Sequence, residues 1–376
     1  MAGIKSRVIC NDLLRRITSG DLSGVLMLPA EIKLAETYAC SRPTIRKALS
    51  ELREAGYITG SKGSGSYVTG PAQVPRKDNT ETFLGIIFPN MGPEYFFDLL
   101  CNNLARRASE NGYSLVFGGY VSPKSEMLKS DIMQICDRYI AQKIKGIFFA
   151  PFGYHSKSDQ INKEIIYSFS GAGIPVVLLD SNIERYPLPN NFDLVSLNHI
   201  QAGYVITEHL IKRNAKRLFF LAPPNSHHSV RMRLVGCRAA MTDGGIMPGE
   251  DTFVEMERDD IGALSRFIDE KKPEAILCSN DMTAMSIMQS LEKLGRGIPG
   301  DIMIAGFDNL SKVMLFSRSI TSIEQPIDDI SRAALALMVE RMAAQDKPVS
   351  HVSFSGTLVV GESTAAPLEA GIINGE

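Results

Sequence analysis

An α/β body of two doubly wound lobes behind a small basic head is the fold class that three observations predict. From Phe83 onward, short apolar runs alternate with helical periods. The runs fall into two series, with a crossover near Leu197–Ala202. Charge is uneven: residues 1–76 hold 11 Lys and Arg against 6 Asp and Glu, and the remainder holds 29 against 36. A basic head on an acidic body is suited to meeting a polyanion.

The 376 residues suffice for two or three domains at roughly 100–200 residues each. With 44% hydrophobic and 22% charged residues, the composition excludes a collagen, a disordered tail and a disulfide scaffold. No stretch reaches the ~18 apolar residues of a membrane span. The opening MAGIKSRVICNDLLRR lacks the apolar segment of a signal peptide. These readings predict a cytoplasmic protein with no membrane partner. Cys10, Cys40, Cys101, Cys136, Cys237 and Cys278 form no C-x-x-C pair, so neither a zinc ribbon nor a redox pair is expected.

In the head, Cys10, Leu13, Leu14 and Ile17 recur at helical spacing, and Gly20 follows as a stop. A short second helix starts after Pro29, with Ile32, Leu34, Ala35 and Tyr38 as its apolar positions. Ser41 is suited to cap a third helix, with Pro43 tolerated in its first turn. That helix buries Ile45, Ala48, Leu49 and Leu52 and stops at Gly56. Its other face carries Arg42, Thr44, Arg46 and Lys47. Arg42 and Arg46, four apart, project from one side, and an arginine fork can grip a phosphate or a guanine edge with two bonds. A solvated charged face is the plainer reading of two arginines alone. The hairpin that follows shifts the balance: Tyr57-Ile58-Thr59 and Ser66-Tyr67-Val68 flank a glycine-rich tip carrying Lys62, which can approach a sugar-phosphate edge closely. GSKGSG is not a phosphate loop, because it lacks G-K-[ST] and sits in a hairpin.

The segment LPAEIKLAETYACSRPTIRKALSELREAGYITGSKGSGSYV resembles the winged helix-turn-helix of GntR-type transcription regulators. The resemblance implies that the Ser41–Gly56 helix enters the major groove of double-stranded operator DNA. It places Arg42, Thr44 and Arg46 at contact positions and Lys62 and Gly63 in the wing. Ala30 stands where the family usually has a capping Ser, and Ile32 where an Arg often meets phosphate.

GPAQVPRKDNTE, residues 70–81, has no apolar period and reads as a flexible linker. In the body, FLGIIFP, YSLVFGGY, IKGIFFAPF and IPVVLLDS form one strand series, and RLFFLAP, DTFVEME, PEAILCSN and IMIAGFDN the other. Buried parallel strands read this way, and they place a cleft at the carboxyl ends of the strands. No G-x-G-x-x-G, phosphate loop or G-x-S-x-G elbow is present, and His227-His228 lacks metal-ligand spacing, so no enzyme, cofactor or metal is expected. Polar residues end the strands instead: Asp180, Asn280, Asp281, Asp308 and Asn309. Each suits either hydroxyl recognition or helix capping.

CSNDMTAM, GIPGDIMIAGFDN and SITSIEQPIDDISRAALALMVERM resemble the effector-binding core of lactose-repressor-type regulators, a periplasmic-binding-protein-like fold of type I. The resemblance covers Phe83 to Thr364. It implies that Tyr95 and Phe96 stack on a small-molecule effector, that Asp180, Asn280, Asp308 and Gln325 bind it, and that Arg233 reaches its hydroxyls or a carboxylate. Relatives place an aromatic near Arg258-Asp259-Asp260; the acidic segment here suits a small, highly hydroxylated effector. The expected organisation is a head over 1–70, a linker over 71–81 and a two-lobed domain over 82–370. Its first lobe takes about 82–198 and 325–347, and its second about 199–324 and 348–370. A homodimer is expected, since operators commonly carry two half-sites. The expected function is a carbohydrate-operon repressor that answers to a sugar. Its rivals are a solute-binding protein with a non-functional head, a regulator sensing a non-sugar small molecule, and a head fused to an enzyme.

Overall fold

The computed structural model describes residues 9–10, 12–13, 28–29, 31–38, 40–54, 58–59, 67–68, 82–88, 95–119, 125, 127–312 and 318–365. It divides into two compact units, 1–80 and 81–376.

In the first unit, α1 (Glu31–Thr37) and α2 (Arg42–Glu54) precede a two-stranded antiparallel sheet of β1 (Ile58–Thr59) and β2 (Tyr67–Val68). The core gathers Ile9, Leu13, Leu28, Leu34, Ile45, Leu49, Leu52 and Ile58. The helical spacing of the third predicted helix is realised, since Ile45, Ala48, Leu49 and Leu52 are all buried. Ile32 is not an apolar core position: it is 54% exposed. Its neighbour Leu34 faces inward, because two residues along a helix turn the side chain by about 200°. Ala30, at the expected missing cap, the stop at Gly56 and the linker lie outside the described residues.

The second unit is two stacked α/β lobes. The first lobe holds β3 (Thr82–Ile87), α3 (Tyr95–Glu110), β4 (Tyr113–Phe117), α4 (Leu128–Ala141), β5 (Gly146–Phe149), α5 (Ser158–Gly171), β6 (Val176–Leu179) and β7 (Asp193–Leu197). The second holds α6 (His199–Lys212), β8 (Leu218–Ala222), α7 (His228–Asp243), β9 (Phe253–Glu255), α8 (Ile261–Lys271), β10 (Ala275–Cys278), α9 (Asp281–Lys293), β11 (Met303–Phe307) and β12 (Thr321–Glu324). The chain then returns: α10 (Ile327–Ala343) and β13 (His351–Phe354) complete the first lobe, and β14 (Thr357–Val359) the second.

Strand order is β13-β7-β6-β5-β3-β4 in one sheet and β14-β12-β11-β10-β8-β9 in the other. All pairs are parallel except β12–β14. Both faces of each sheet are packed, which is why the central strands are unbroken apolar runs: β5, β6, β8 and β10 are buried at every position. Two apolar clusters flank the first sheet and two the second.

The structure corrects one boundary. Residues from 348 on are expected in the second lobe, but β13 pairs with β7 in the first lobe's sheet, with Val352 opposite Val195. Only after Ser355 and Gly356 does the chain enter the second sheet. Three short connections therefore join the lobes, at Asn198, at Gln325-Pro326 and at Ser355-Gly356.

Candidate functional site

On the head, Arg42 and Arg46 are 56% and 62% exposed along α2. Lys47 is also exposed, and Thr44 is half-buried. Ser41 accepts the Thr44 amide on its carbonyl at 3.0 Å and meets Thr44 Oγ1 through its hydroxyl at 2.8 Å, which fixes the start of α2. The sequence reading missed Glu31. Its carboxylate accepts Arg46 Nη2 at 3.0 Å and lies 3.8 Å from Arg42 Nη2. The Arg46 hydrogen bond holds the Glu31 carboxyl below its usual range. Lys62 and Gly63 lie outside the described residues.

In the body, the strand order of each lobe reverses beside its first strand, and the loops after the carboxyl ends of the strands meet across the cleft. Phe96, Asp180, Arg233, Asn280, Asp308 and Gln325 line one pocket there. Six of the seven expected positions thus converge. The seventh, Tyr95, begins α3, and its side chain is outside the described set.

Each lobe supplies one carboxylate from the residue just past a strand. Asp180 follows β6 with φ 66°, and Asp308 follows β11 with φ 99°. Left-handed backbone is costly for such residues and is kept where the surroundings enforce it. Arg233, 4% exposed, stands between them. Its Nη1 donates to the Ser279 carbonyl at 2.6 Å, Nε donates to His199 Nδ1 at 3.3 Å, and Nη2 lies 3.7 Å from Asp308 Oδ1. The guanidinium carbon sits 4.3 Å over the Phe307 ring. Because His199 Nδ1 accepts, its Nε2 carries the proton and donates to the Asp180 carbonyl at 2.8 Å. A buried guanidinium is tolerable only with such partners.

Two glycines set Arg233 in place. A Cβ on Gly203 of α6 would overlap the Arg233 carbonyl, and one on Gly236 of α7 would overlap the Ile200 carbonyl. The two helices therefore cross backbone to backbone.

Electrostatically, burial would raise the Asp180 carboxyl, but His199 and Arg233 outweigh it and hold it well below the carboxylate range. Asp308 is raised, because burial outweighs Arg233 and the 2.7 Å hydrogen bond from Gln325 Nε2. Gln325 is 5% exposed and its Oε1 is buried with no hydrogen-bond partner among the described residues. Asn280 divides its duties: its Oδ1 caps α9 by accepting the Thr283 amide at 2.9 Å. Asp281 is structural, accepting Leu310 N and Ser322 Oγ, both at 2.8 Å. Asp260 caps α8 through Ala263 N, so the acidic segment does not line the cleft.

Tyr154, His227 and Ser229 also line the pocket and were not foreseen. Tyr154 N donates to Asn225 O at 2.5 Å, its ring meets His227 edge-on at 5.0 Å, and His228 Nε2 reaches Asp159 at 3.1 Å. These contacts join the lobes. Desolvation lowers His227 to about 4. Histidines facing a loop from the other lobe leave no local sequence pattern.

A DNA-reading head joined to a hinged, two-lobed pocket defines a transcription regulator rather than an enzyme. Residues 5–68 match the family described as bacterial regulatory proteins, gntR family, and residues 207–364 match the periplasmic binding protein-like domain. The head thus matches a GntR-type DNA-binding domain, and much of the body matches a periplasmic-binding-protein-like domain. It is 23% identical over 365 residues to the arabinose metabolism transcriptional repressor of Geobacillus stearothermophilus, covering 94% of this chain and 95% of that protein. Among solved structures it is similar to a CelR–cellobiose complex, with TM-score 0.63 and 18% identity over 89% of this chain and 100% of that one. The lac repressor dimer bound to operator and an anti-inducer is similar too, at TM-score 0.63 and 18% identity over 77% of this chain and 96% of that one. A regulator of this kind works in the cytoplasm, where its DNA lies.

Proposed function

We propose that this protein represses a carbohydrate-use operon, binding operator DNA as a homodimer and responding to a sugar or sugar derivative in its cleft. One observation carries the reading. A carboxylate from each lobe flanks Arg233, while Gln325 presents a buried carbonyl oxygen with no hydrogen-bond partner among the described residues. A polyol satisfies this set: its hydroxyls donate to Asp180, Asp308 and Gln325 Oε1 and accept from Arg233 and Asn280 Nδ2. A purely apolar ligand would leave Gln325 Oε1 and the remaining acceptor positions of the two carboxylates unsatisfied. A sugar touching both lobes favours the lobe angle at which it fits, and operator affinity changes by the difference in sugar affinity between the two angles. The arabinose-repressor relative and the cellobiose-bound neighbour support a sugar over other polar ligands. The test is a thermal-shift screen against pentoses, hexoses, deoxy sugars, uronic acids and phosphosugars. A ligand at 100 times its Kd stabilises the body by about 2.7 kcal/mol. The expected result is a hit that disappears in Asp308→Ala. No response to any sugar class would overturn the sugar reading and leave the DNA-binding reading standing.

A further inference from the structure

A second cavity lies beside the hinge, of about 420 Å³, within the size range of small-molecule sites. Lobe 1 contributes β7, β13 and the 181–190 loop; lobe 2 contributes the starts of α6 and α7. Its origin lies in the sheet. Val195, Val352 and Phe354 pack with residues of α10 on one face. Leu194 and Ser196 alternate to the opposite face, and the cavity opens there under the 181–190 loop.

Two features of the lining decide what fits. Tyr186, Pro187, Leu188, Leu197 and Met232 make most of it apolar, and Tyr186 and Leu188 leave 62% and 57% of their surface exposed at the rim. Against that wall stand two hydroxyls. Ser196 and Ser353 are register partners on β7 and β13, and neither side chain makes a hydrogen bond among the described residues. His351 adds an imidazole two residues along β13, and Asn182 an amide whose oxygen is taken by Glu184 N. Charge then narrows the class. Asp180 and Glu184 line the cavity, Glu184 already pairs with Lys163 at 2.8 Å, and no lysine or arginine is among the described lining residues. A phosphorylated or carboxylated ligand would meet carboxylates with no lysine or arginine among the described lining residues to receive it.

We infer that the hinge cavity is a second ligand site, adjoining the sugar cleft at Asp180 and Ser229 but apart from Asp308 and Gln325, for an uncharged molecule with a flat apolar body and a hydroxyl or amide edge. The ring lies against Tyr186, Leu188 and Met232, and the polar edge reaches Ser196 and Ser353.

The chain has no tryptophan, so Tyr186→Trp places a single, selectively excitable indole at the rim. The probe is 4-(hydroxymethyl)benzamide, titrated into the full-length variant. A saturable emission change is expected. It persists when Asp308→Ala is added, and it vanishes with Ser353→Tyr, which fills the cavity. Ser196→Val, close in shape, weakens the probe by up to about tenfold through one lost hydrogen bond, and serves as the readout should Ser353→Tyr fold poorly. The anion 4-(hydroxymethyl)benzoate binds more weakly than the amide. A change that never saturates, binding untouched by both serine variants, binding abolished by Asp308→Ala, or an anion that binds as well as the amide would each overturn the assignment.

Discussion

Asp180 and Asp308 occupy matching places in the two lobes: each is the first residue beyond a buried parallel strand, each has positive φ, and both face Arg233. Their environments push them apart. Asp180, with His199 and Arg233 beside it, is stabilised as a carboxylate. Asp308 pairs with Arg233 only at 3.7 Å, and burial dominates. The second lobe thus carries a carboxylate that burial disfavours and that further hydrogen-bond donors would stabilise.

Asp308→Asn follows from that asymmetry. A carboxyl raised in the folded state has a stability contribution that is lost as pH rises through its folded pKa, so its charge is a liability at neutral pH. The neutral amide keeps an acceptor for Gln325 Nε2. The melting temperature at pH 7 is expected to hold or rise, while the thermal shift produced by the sugar disappears. A clear drop in melting temperature would show that Asp308 is a structural partner of Arg233.

Gly236→Ala drives a methyl group into the Ile200 carbonyl across the α6–α7 crossing. The helices must separate, at about 1–3 kcal/mol for overpacking of this kind. Arg233 is one turn away on the same helix, so effector affinity falls as well. Denaturant unfolding gives the first quantity and calorimetric titration the second. Equal stability to wild type would mean that the crossing is looser than described.

Glu31→Gln tests the head. The carboxylate neutralises part of the Arg42 and Arg46 charge and repels phosphate. Its removal is expected to tighten binding to non-specific DNA and to steepen the salt dependence of that binding. Loss of its grip on Arg46 should narrow the gap between specific and non-specific DNA. Filter binding or anisotropy across a salt series reads both effects.

Acid stability should report His227. Its folded pKa near 4 lies below the ordinary value of 6.5. Between those values the unfolded chain takes up a proton that the folded chain refuses, so stability falls as pH drops from 6.5 toward 4. The full loss is about 3 kcal/mol, at 1.36 kcal/mol per unit. Chemical unfolding at several pH values in that window is expected to slope downward in wild type and to flatten in His227→Gln. Parallel slopes would place the proton elsewhere.

How legible these features were in the sequence depended on burial and on distance along the chain. The strands that announced themselves, such as β6 and β10, are packed on both faces and so are continuous apolar runs. β13 lies at a sheet edge and alternates exposed with half-buried positions, so HVSF gave no such run, and its lobe was misassigned. The same blindness hid Ile32, whose apolar side chain is exposed on a seven-residue helix too short to show a periodic face. In the cleft, Asp180, Asn280 and Asp308 end strands and could be found locally, whereas the resemblance was needed to pick out Arg233 in mid-helix. Glu31 beneath two arginines, Tyr154 against His227 and the glycine crossing all join residues distant in sequence. No window of residues contains both partners.

The return of the chain to the first lobe has a consequence for synthesis on the ribosome. Asp193 accepts the Ser350 amide and two Arg341 nitrogens, and Ser350 lies 157 positions further along the chain. When the ribosome has made β7, the first lobe still lacks α10 and β13, and one of its apolar clusters stands without its covering helix. The second lobe is nearly finished before the first can close. Contacts this distant are slow to form and leave apolar surface uncovered meanwhile. The nascent regulator therefore stays open to chaperones until its last segment emerges, and a message truncated before α10 yields a chain with no complete lobe to fall back on.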